Sequence, residues 1–295
     1  MLQRLKTAIP LIAVVLAAFF VPGLTGKCFF LAFALLLLIG AVREACALGG
    51  LPKFGAYEIA ADIFGALMLI GAAAGAWLPS WPLPGMAWDV LVMALVLLAG
   101  FCVLFRRGLN MENMRELGMW TLIALTYAWC LMFLPKLYFL PGGHGPLILC
   151  FLVTVTKLAD IGAYFAGSAT ARRPQGNHKL APNVSPKKSW EGLAGGILFS
   201  LAGAAVFKHF AGERLSFAVL DHTTVVGWMD AVLLGVVAPV AGLLGDLAES
   251  AFKRVAGAKD SGHLPGLGGV LDFLDSLVPM GPLFFAWLLL RSLCG

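Results

Sequence analysis

Residues 224–245, TVVGWMDAVLLGVVAPVAGLLG, and 277–293, LVPMGPLFFAWLLLRSL, bracket the stretch 246–276, DLAESAFKRVAGAKDSGHLPGLGGVLDFLDS. Each flank is close to the roughly 20 apolar residues that carry a helix across a bilayer. The stretch between them holds Asp246, Glu249, Asp260, Asp272 and Asp275, together with Lys253, Arg254 and Lys259. Ionisable groups beside lipid are expensive to place, so such a patch marks a functional site by default. Carboxylates suit a hard metal ion, and basic residues with glycines suit phosphate.

Composition sets the class. The chain of 295 residues is 60% hydrophobic and 13% charged. A soluble domain carries about 25% charged residues. Nine apolar runs are legible, near 8–24, 28–47, 57–79, 87–105, 116–135, 146–167, 191–211, 224–245 and 277–293. The expected fold is an all-α, polytopic integral membrane protein of about nine spans with a cytoplasmic N-terminus. The first run continues past Pro22 without a clean small-residue cleavage site, so it reads as a retained helix. We expect an N-terminal membrane region of about five spans, 1–145. A C-terminal catalytic region of about four spans, 146–295, follows with cytoplasmic loops 171–189 and 246–276.

Charge supports this orientation. With the N-terminus inside, fifteen basic residues fall on the cytoplasmic side and five on the other, with Lys157 inside a span. That is the asymmetry the positive-inside rule describes. It puts both polar loops where nucleotides are found. The six cysteines form no Cys-x-x-Cys pair and read as small apolar residues. No basic tract with interleaved aromatics points to nucleic acid. His144, His209 and His222 fall on the far side and look incidental.

Asp246, Glu249, Ser250 and Lys253 share one face of a helix, being spaced i, i+3, i+4, i+7. Asp272, Asp275 and Ser276 repeat the i, i+3, i+4 pattern before the last span. Two such faces can hold a cation between them; the alternative is a pair of solvated helix ends, with the aspartates favoured by a helix dipole. Mg²⁺ takes one or two carboxylates and completes its shell with water and phosphate oxygens. Lys253, Arg254 and Lys259 can neutralise phosphates or can anchor the cytoplasmic face. Asp160 reads as ending the sixth span on the cytoplasmic side and needs a partner, because a carboxylate at the helix centre costs about 2.5–3.5 kcal/mol. Lys157 and Lys188 are the candidates. In loop 171–189, Arg172, Arg173, Lys179, Lys187 and Lys188 can grip phosphate or attract anionic lipid.

Ser250-Ala-Phe-Lys253-Arg254, then Lys259-Asp260-Ser261-Gly262, then Pro265-Gly266-x-Gly268-Gly269-Val-Leu-Asp272-x-x-Asp275 resembles the signature of the phosphatidate cytidylyltransferases, the CDP-diacylglycerol synthases. The likeness extends upstream through Asp160-Ile-Gly-Ala-Tyr164 and His178-Lys179-Leu-Ala-Pro182-x-x-Ser185-Pro186-Lys-Lys188-Ser-Trp190-Glu191-Gly192. Arg43-Glu44 is a weaker point of similarity. Leu267 stands where the signature usually has His, and Phe273 where it usually has Arg. The stretch between Gly262 and Pro265 is one residue shorter than usual.

The resemblance implies a transfer of CMP from CTP to phosphatidic acid, giving CDP-diacylglycerol and pyrophosphate for phospholipid synthesis. It implies Asp246, Asp272 and Asp275 on metal, with Asp260 on metal or beside it. Lys253, Arg254, Lys259 and Lys188 would face phosphates. Asp160, Lys179, Ser185, Ser250, Gly266, Gly268 and Gly269 would contact substrate. Mg²⁺ is the implied cofactor, replaceable by Mn²⁺, and a monovalent cation and a homo-oligomer are left open. The implied setting is the bacterial inner membrane, among its lipids, with the active site facing the cytoplasm. The competing readings are a CTP-dependent transferase for another lipid phosphate, an inactive synthase-like membrane protein, and an ion-coupled transporter. The transporter should carry its carboxylates near mid-span on broken helices.

Overall fold

The computed structural model describes residues 17–19, 21, 23–53, 55–77, 85–142, 144–219, 222–258 and 269–294. In chain order the helices are α1 (Gly23–Leu48), α2 (Ala56–Trp77), α3 (Gly85–Arg107) and α4 (Met111–Ile123). A π turn at Ala124–Trp129 continues α4, and α5 (Phe133–Tyr138) and α6 (Gly145–Ala171) follow. After a hairpin of β1 (Lys179–Ala181) and β2 (Ser185–Ser189) comes α7 (Trp190–Ala211). A second antiparallel hairpin, β3 (Ser216–Val219) with β4 (His222–Val225), leads to α8 (Trp228–Val255). The chain closes with α9 (Val270–Leu274) and α10 (Leu277–Cys294).

Eight helical segments among the described residues are long and apolar enough to cross a membrane. They correspond to the expected spans from 28–47 onward. The expected first span, 8–24, lies largely outside the described residues. The protein is an all-α integral membrane protein, about 80% helical. Many large apolar side chains point outward, among them Leu36, Val90, Leu98, Phe105, Leu198 and Leu290. In a bilayer that outward face meets lipid rather than water.

Three boundaries differ from the sequence expectation. The helix at Asp246 continues to Val255, so the connection expected over 246–276 begins only after it. Asp160 does not end its span, since α6 continues to Ala171. The loops at 171–189 and after Ala211 contain short hairpins, because their backbone donors and acceptors need partners where no helix supplies them.

The chain forms two compact units. One comprises Met1–Pro135 with Val255–Phe273. Its interior contains Leu38, Phe64, Met68, Trp120 and Ile123. Arg43 of α1 pairs with Glu58 at 3.6 Å and Asp62 at 3.3 Å, both on α2. Asn110 caps α4 by accepting the Asn113 N–H at 2.7 Å, and the Asn113 amide donates to the carbonyls of Arg107 and Gly108. That exchange ties the end of α3 to the start of α4.

The other unit comprises Lys136–Arg254 with Leu274–Gly295. Its closest pairing is α6 with α7. A Cβ on Gly162 would stand 2.6 Å from the Gly195 carbonyl oxygen, and one on Gly196 would stand 3.0 Å from the Ala159 carbonyl oxygen. Small residues here let two backbones touch, the usual way helices associate where lipid offers no hydrophobic contrast. At the far end of α7, the buried Asp230 of α8 pairs with Arg291 of α10 at 3.1 Å. Cys46 is buried as expected, whereas Cys28 and Cys102 face outward.

Candidate active site

The site in the second unit is built on α8. Its unbroken helix puts Asp246, Glu249, Ser250 and Lys253 on one face, as their spacing requires. The Ser250 hydroxyl donates to Asp246 Oδ1 at 3.3 Å. Lys253 Nζ pairs with Glu249 Oε2 at 2.9 Å, with both side chains largely withdrawn from solvent. Glu249 itself is only 3% exposed.

Asp275 comes to this face from the turn between α9 and α10. Carboxylate oxygens of Asp246, Glu249 and Asp275 lie within 4.8 Å of one another. Close approach of α10 to α8 makes this possible. A Cβ at Gly245 would overlap the Asp275 carbonyl oxygen and stand 2.9 Å from Pro279 Cδ. One at Gly242 would stand 3.2 Å from Ser276 Cβ. Only glycine leaves the room at 245.

Cations surround the cluster. Lys188, at the end of β2, forms an ion pair with Asp246 Oδ2. Lys157 Nζ lies 3.3 Å from Asp160 Oδ2 and donates to Ser276 Oγ at 2.9 Å. The Ser276 hydroxyl in turn donates to Asp160 Oδ2 at 3.0 Å and is 1% exposed. Asp160 therefore has Lys157 as its partner, and Lys188 serves Asp246 instead. The Lys157 pair and a serine hydroxyl make a carboxylate inside α6 tolerable.

The β1–β2 hairpin is secured at its base. Glu191 accepts the His178 N–H at 3.1 Å and contacts His178 Nδ1 at 2.7 Å. Trp190 N–H donates to the His178 carbonyl at 3.0 Å. Ser189 caps α7 through the Gly192 N–H at 3.1 Å. Lys179 is exposed on β1 and Ser185 half-buried on β2, while Arg254 is exposed near the end of α8.

Asp272 lies in the first unit, on α9, where its Oδ2 accepts the Gly269 N–H at 2.8 Å. The chain turns at Asp275 and Ser276, so the i, i+3 face expected for Asp272 and Asp275 is interrupted. Lys259, Asp260, Gly266, Leu267 and Gly268 lie outside the described residues. Phe273 is 43% exposed.

Three carboxylates against Lys188 and Lys253 leave a hard-oxygen, net-negative group able to hold a metal ion. The model of the cytidylyltransferase family matches residues 2–291 of the chain.

The chain belongs to the cytidylyltransferase family.

A phosphatidate cytidylyltransferase of Pseudomonas aeruginosa is 38% identical over 97% of this chain and 96% of its own length. One of Bacillus subtilis is 33% identical over 69% of each chain. One of Haemophilus influenzae is 43% identical over 48% of this chain, a match that spans 45% of that relative. Within the family framework, two residues were not singled out as candidates from sequence. Glu249 shares the helix face with Asp246, but its meeting with Asp275 depends on α10. Ser276 was visible at i+4 from Asp272, but its bridge between Lys157 and Asp160 depends on α6.

Proposed function

We propose that the protein transfers CMP from CTP to phosphatidate, releasing pyrophosphate, in the inner membrane of a bacterium with its active site facing the cytoplasm. The observation that carries the reading is the Asp246–Glu249–Asp275 group with Lys188 and Lys253 upon it, in a chain of this family. The catalytic work falls to the C-terminal region, 146–295. A bound divalent ion, Mg²⁺ with Mn²⁺ as substitute, supplies charge neutralisation for the triphosphate.

The chemistry asks little else of the protein. Phosphatidate is a phosphate monoester with a second pKa near 6. It is already an anionic nucleophile at neutral pH, so no general base is needed. Its oxygen bonds to the α-phosphorus of CTP as the bond to the β-phosphate bridge oxygen breaks. Asp246, Glu249 and Asp275 hold the cation, with Asp272 assigned the same duty from the signature. Lys253, Lys188, Arg254 and Lys259 neutralise phosphate oxygens of the triphosphate and of the departing pyrophosphate. Asp260 supports the metal group. Ser250 orients Asp246. Asp160 holds Lys157 towards the start of α10, and the resemblance assigns Lys179, Ser185, Gly266, Gly268 and Gly269 to substrate binding. Acyl chains stay in the bilayer.

The purified protein, given labelled CTP, phosphatidate and Mg²⁺, should yield CDP-diacylglycerol and pyrophosphate in equal amounts. Chelation should stop the reaction, and Mn²⁺ should restore it. Turnover that persists in excess chelator would remove the metal from the reading, and no product with any lipid phosphate would remove the reaction.

Orientation has its own test. Helix α7 is about 33 Å long at 1.5 Å per residue, enough for the roughly 30 Å hydrocarbon core. Single cysteines placed at 179 and 214, with the native cysteines replaced, should label from opposite faces, 179 from the cytoplasm. Labelling of both from one face overturns this topology.

A further inference from the structure

Ser276 is the last residue before α10, and its hydroxyl is shared between two charged side chains of α6. It accepts from Lys157 Nζ at 2.9 Å and donates to Asp160 Oδ2 at 3.0 Å, across 119 and 116 residues of chain. The residue is almost wholly buried. Its backbone is engaged as well: the Ser276 N–H donates to Asp275 Oδ1 at 2.5 Å. The carboxylate of Asp275 is therefore bonded to the backbone of the same residue whose side chain α6 holds.

Helix α10 cannot fix its own first turns by its hydrogen-bond ladder. Pro279 and Pro282 both lie there, and neither has an N–H to give. Pro282 leaves the Val278 carbonyl without the donor that an unbroken ladder would supply. Further along, Phe151 of α6 and Phe284 of α10 pack with ring centroids 6.4 Å apart. Apolar burial of this kind draws two helices together but is not directional. Hydrogen bonds are directional, and those to ionised partners are the stronger class. On α8, Gly242 and Gly245 give the turn at Asp275 and Ser276 room to approach. That room sets how near Asp275 comes. The bonds at Ser276 set which way it faces.

We propose that Ser276 is a positioning residue for the transfer reaction: held by Lys157 and Asp160, it ties the start of α10 to α6 and so aims the Asp275 carboxylate at Asp246 and Glu249. All six residues belong to one compact unit. The inference rests on the assignment of Asp275 to the metal given above. It requires a group at 276 that both donates and accepts. Loss of that group leaves no stranded charge, because Lys157 and Asp160 keep each other at 3.3 Å. The fold should therefore survive the substitution that tests it.

The experiment is a double-mutant cycle on Ser276→Ala and Asp275→Asn, purified in detergent and read by kcat and by Mn²⁺ binding in electron paramagnetic resonance. Ser276→Ala should lose about tenfold in kcat and bind Mn²⁺ about tenfold more weakly, the scale of a lost hydrogen bond to a charged group. Ser276→Cys keeps the shape and a weak S–H donor and should fall between wild type and Ser276→Ala. It enters the same cycle if Ser276→Ala does not fold. Asp275→Asn leaves Asp246 and Glu249 to bind the ion more weakly. In that background Ser276→Ala should change Mn²⁺ binding less than twofold, since the carboxylate it aims is gone. The proposal is overturned if Ser276→Ala keeps wild-type turnover and Mn²⁺ binding, or if its full loss persists beside Asp275→Asn. Asp275→Asn with undiminished turnover and Mn²⁺ binding removes Asp275 from the metal and the proposal with it, a result read without any Ser276 variant.

Discussion

Asp246→Asn should reduce turnover by about a thousandfold while leaving the protein folded. Asparagine has nearly the same shape and keeps an oxygen that can accept the Ser250 hydroxyl bond. What it removes is one of three negative charges gathered within 4.8 Å. Loss of a single preorganised electrostatic contact to a developing charge is worth about 10²–10³ in rate. In the proposed reaction Asp246 would act twice, through the cation and through the hold on Lys188. The variant leaves Lys188 without its ion pair, but that side chain is 30% exposed and can turn to solvent. Stability should therefore change little. Initial rates with labelled CTP, beside circular dichroism and gel filtration of the same sample, provide the check. A folded variant within about threefold of wild type would take Asp246 out of the site.

Gly245→Ala should be nearly as damaging, with every charged residue intact. The added methyl would overlap the Asp275 carbonyl oxygen and press on the Pro279 ring, with Cδ at 2.9 Å and Cγ at 3.0 Å. Backbone and a proline ring cannot rotate aside as a flexible side chain can. The start of α10 must move away from α8, and Asp275 moves with it. A misplacement of about 1 Å can cost about a hundredfold in rate. We expect a loss of that size or more. Gly118→Ala is the matched control: a Cβ there meets nothing within 4 Å, and Gly118 lies in the regular helix α4. Its activity should be unchanged, and its helix stabilised by up to about 1 kcal/mol. Equal activity in both variants would mean that the approach of α10 to α8 does not govern the chemistry.

These expectations draw on different kinds of legibility. Apolar runs separated by Pro, Gly and charge were enough for the eight spans from 28–47 onward, because a helix in lipid must satisfy its own backbone and announces itself by length and hydropathy. Helical spacing was enough for the face of Asp246, Glu249, Ser250 and Lys253, and of the two partners offered for Asp160 the structure has Lys157, three residues before it. These are short-range facts, set by 3.6 residues per turn. The long signature from Ser250 to Asp275 carried the family, which the match over residues 2–291 establishes.

Spacing misled wherever the helix did not continue. Asp272 and Asp275 would share a face on an unbroken helix, but the chain turns at Asp275 and Ser276. Asp272 then answers to α9 and Asp275 to α8. Likewise Asp160 looked like the end of a span, yet α6 continues to Ala171, and Lys157 and Ser276 satisfy its carboxylate. From sequence alone followed the membrane class, the helix-face residues and the family. Only the tertiary structure decided that Glu249 meets Asp275, that Lys188 serves Asp246, and that Ser276 bridges Lys157 and Asp160. Each of those contacts joins residues from different helices or loops. Their partners are chosen by how closely the backbones approach, at Gly245 and Gly242, and residue spacing does not encode that distance.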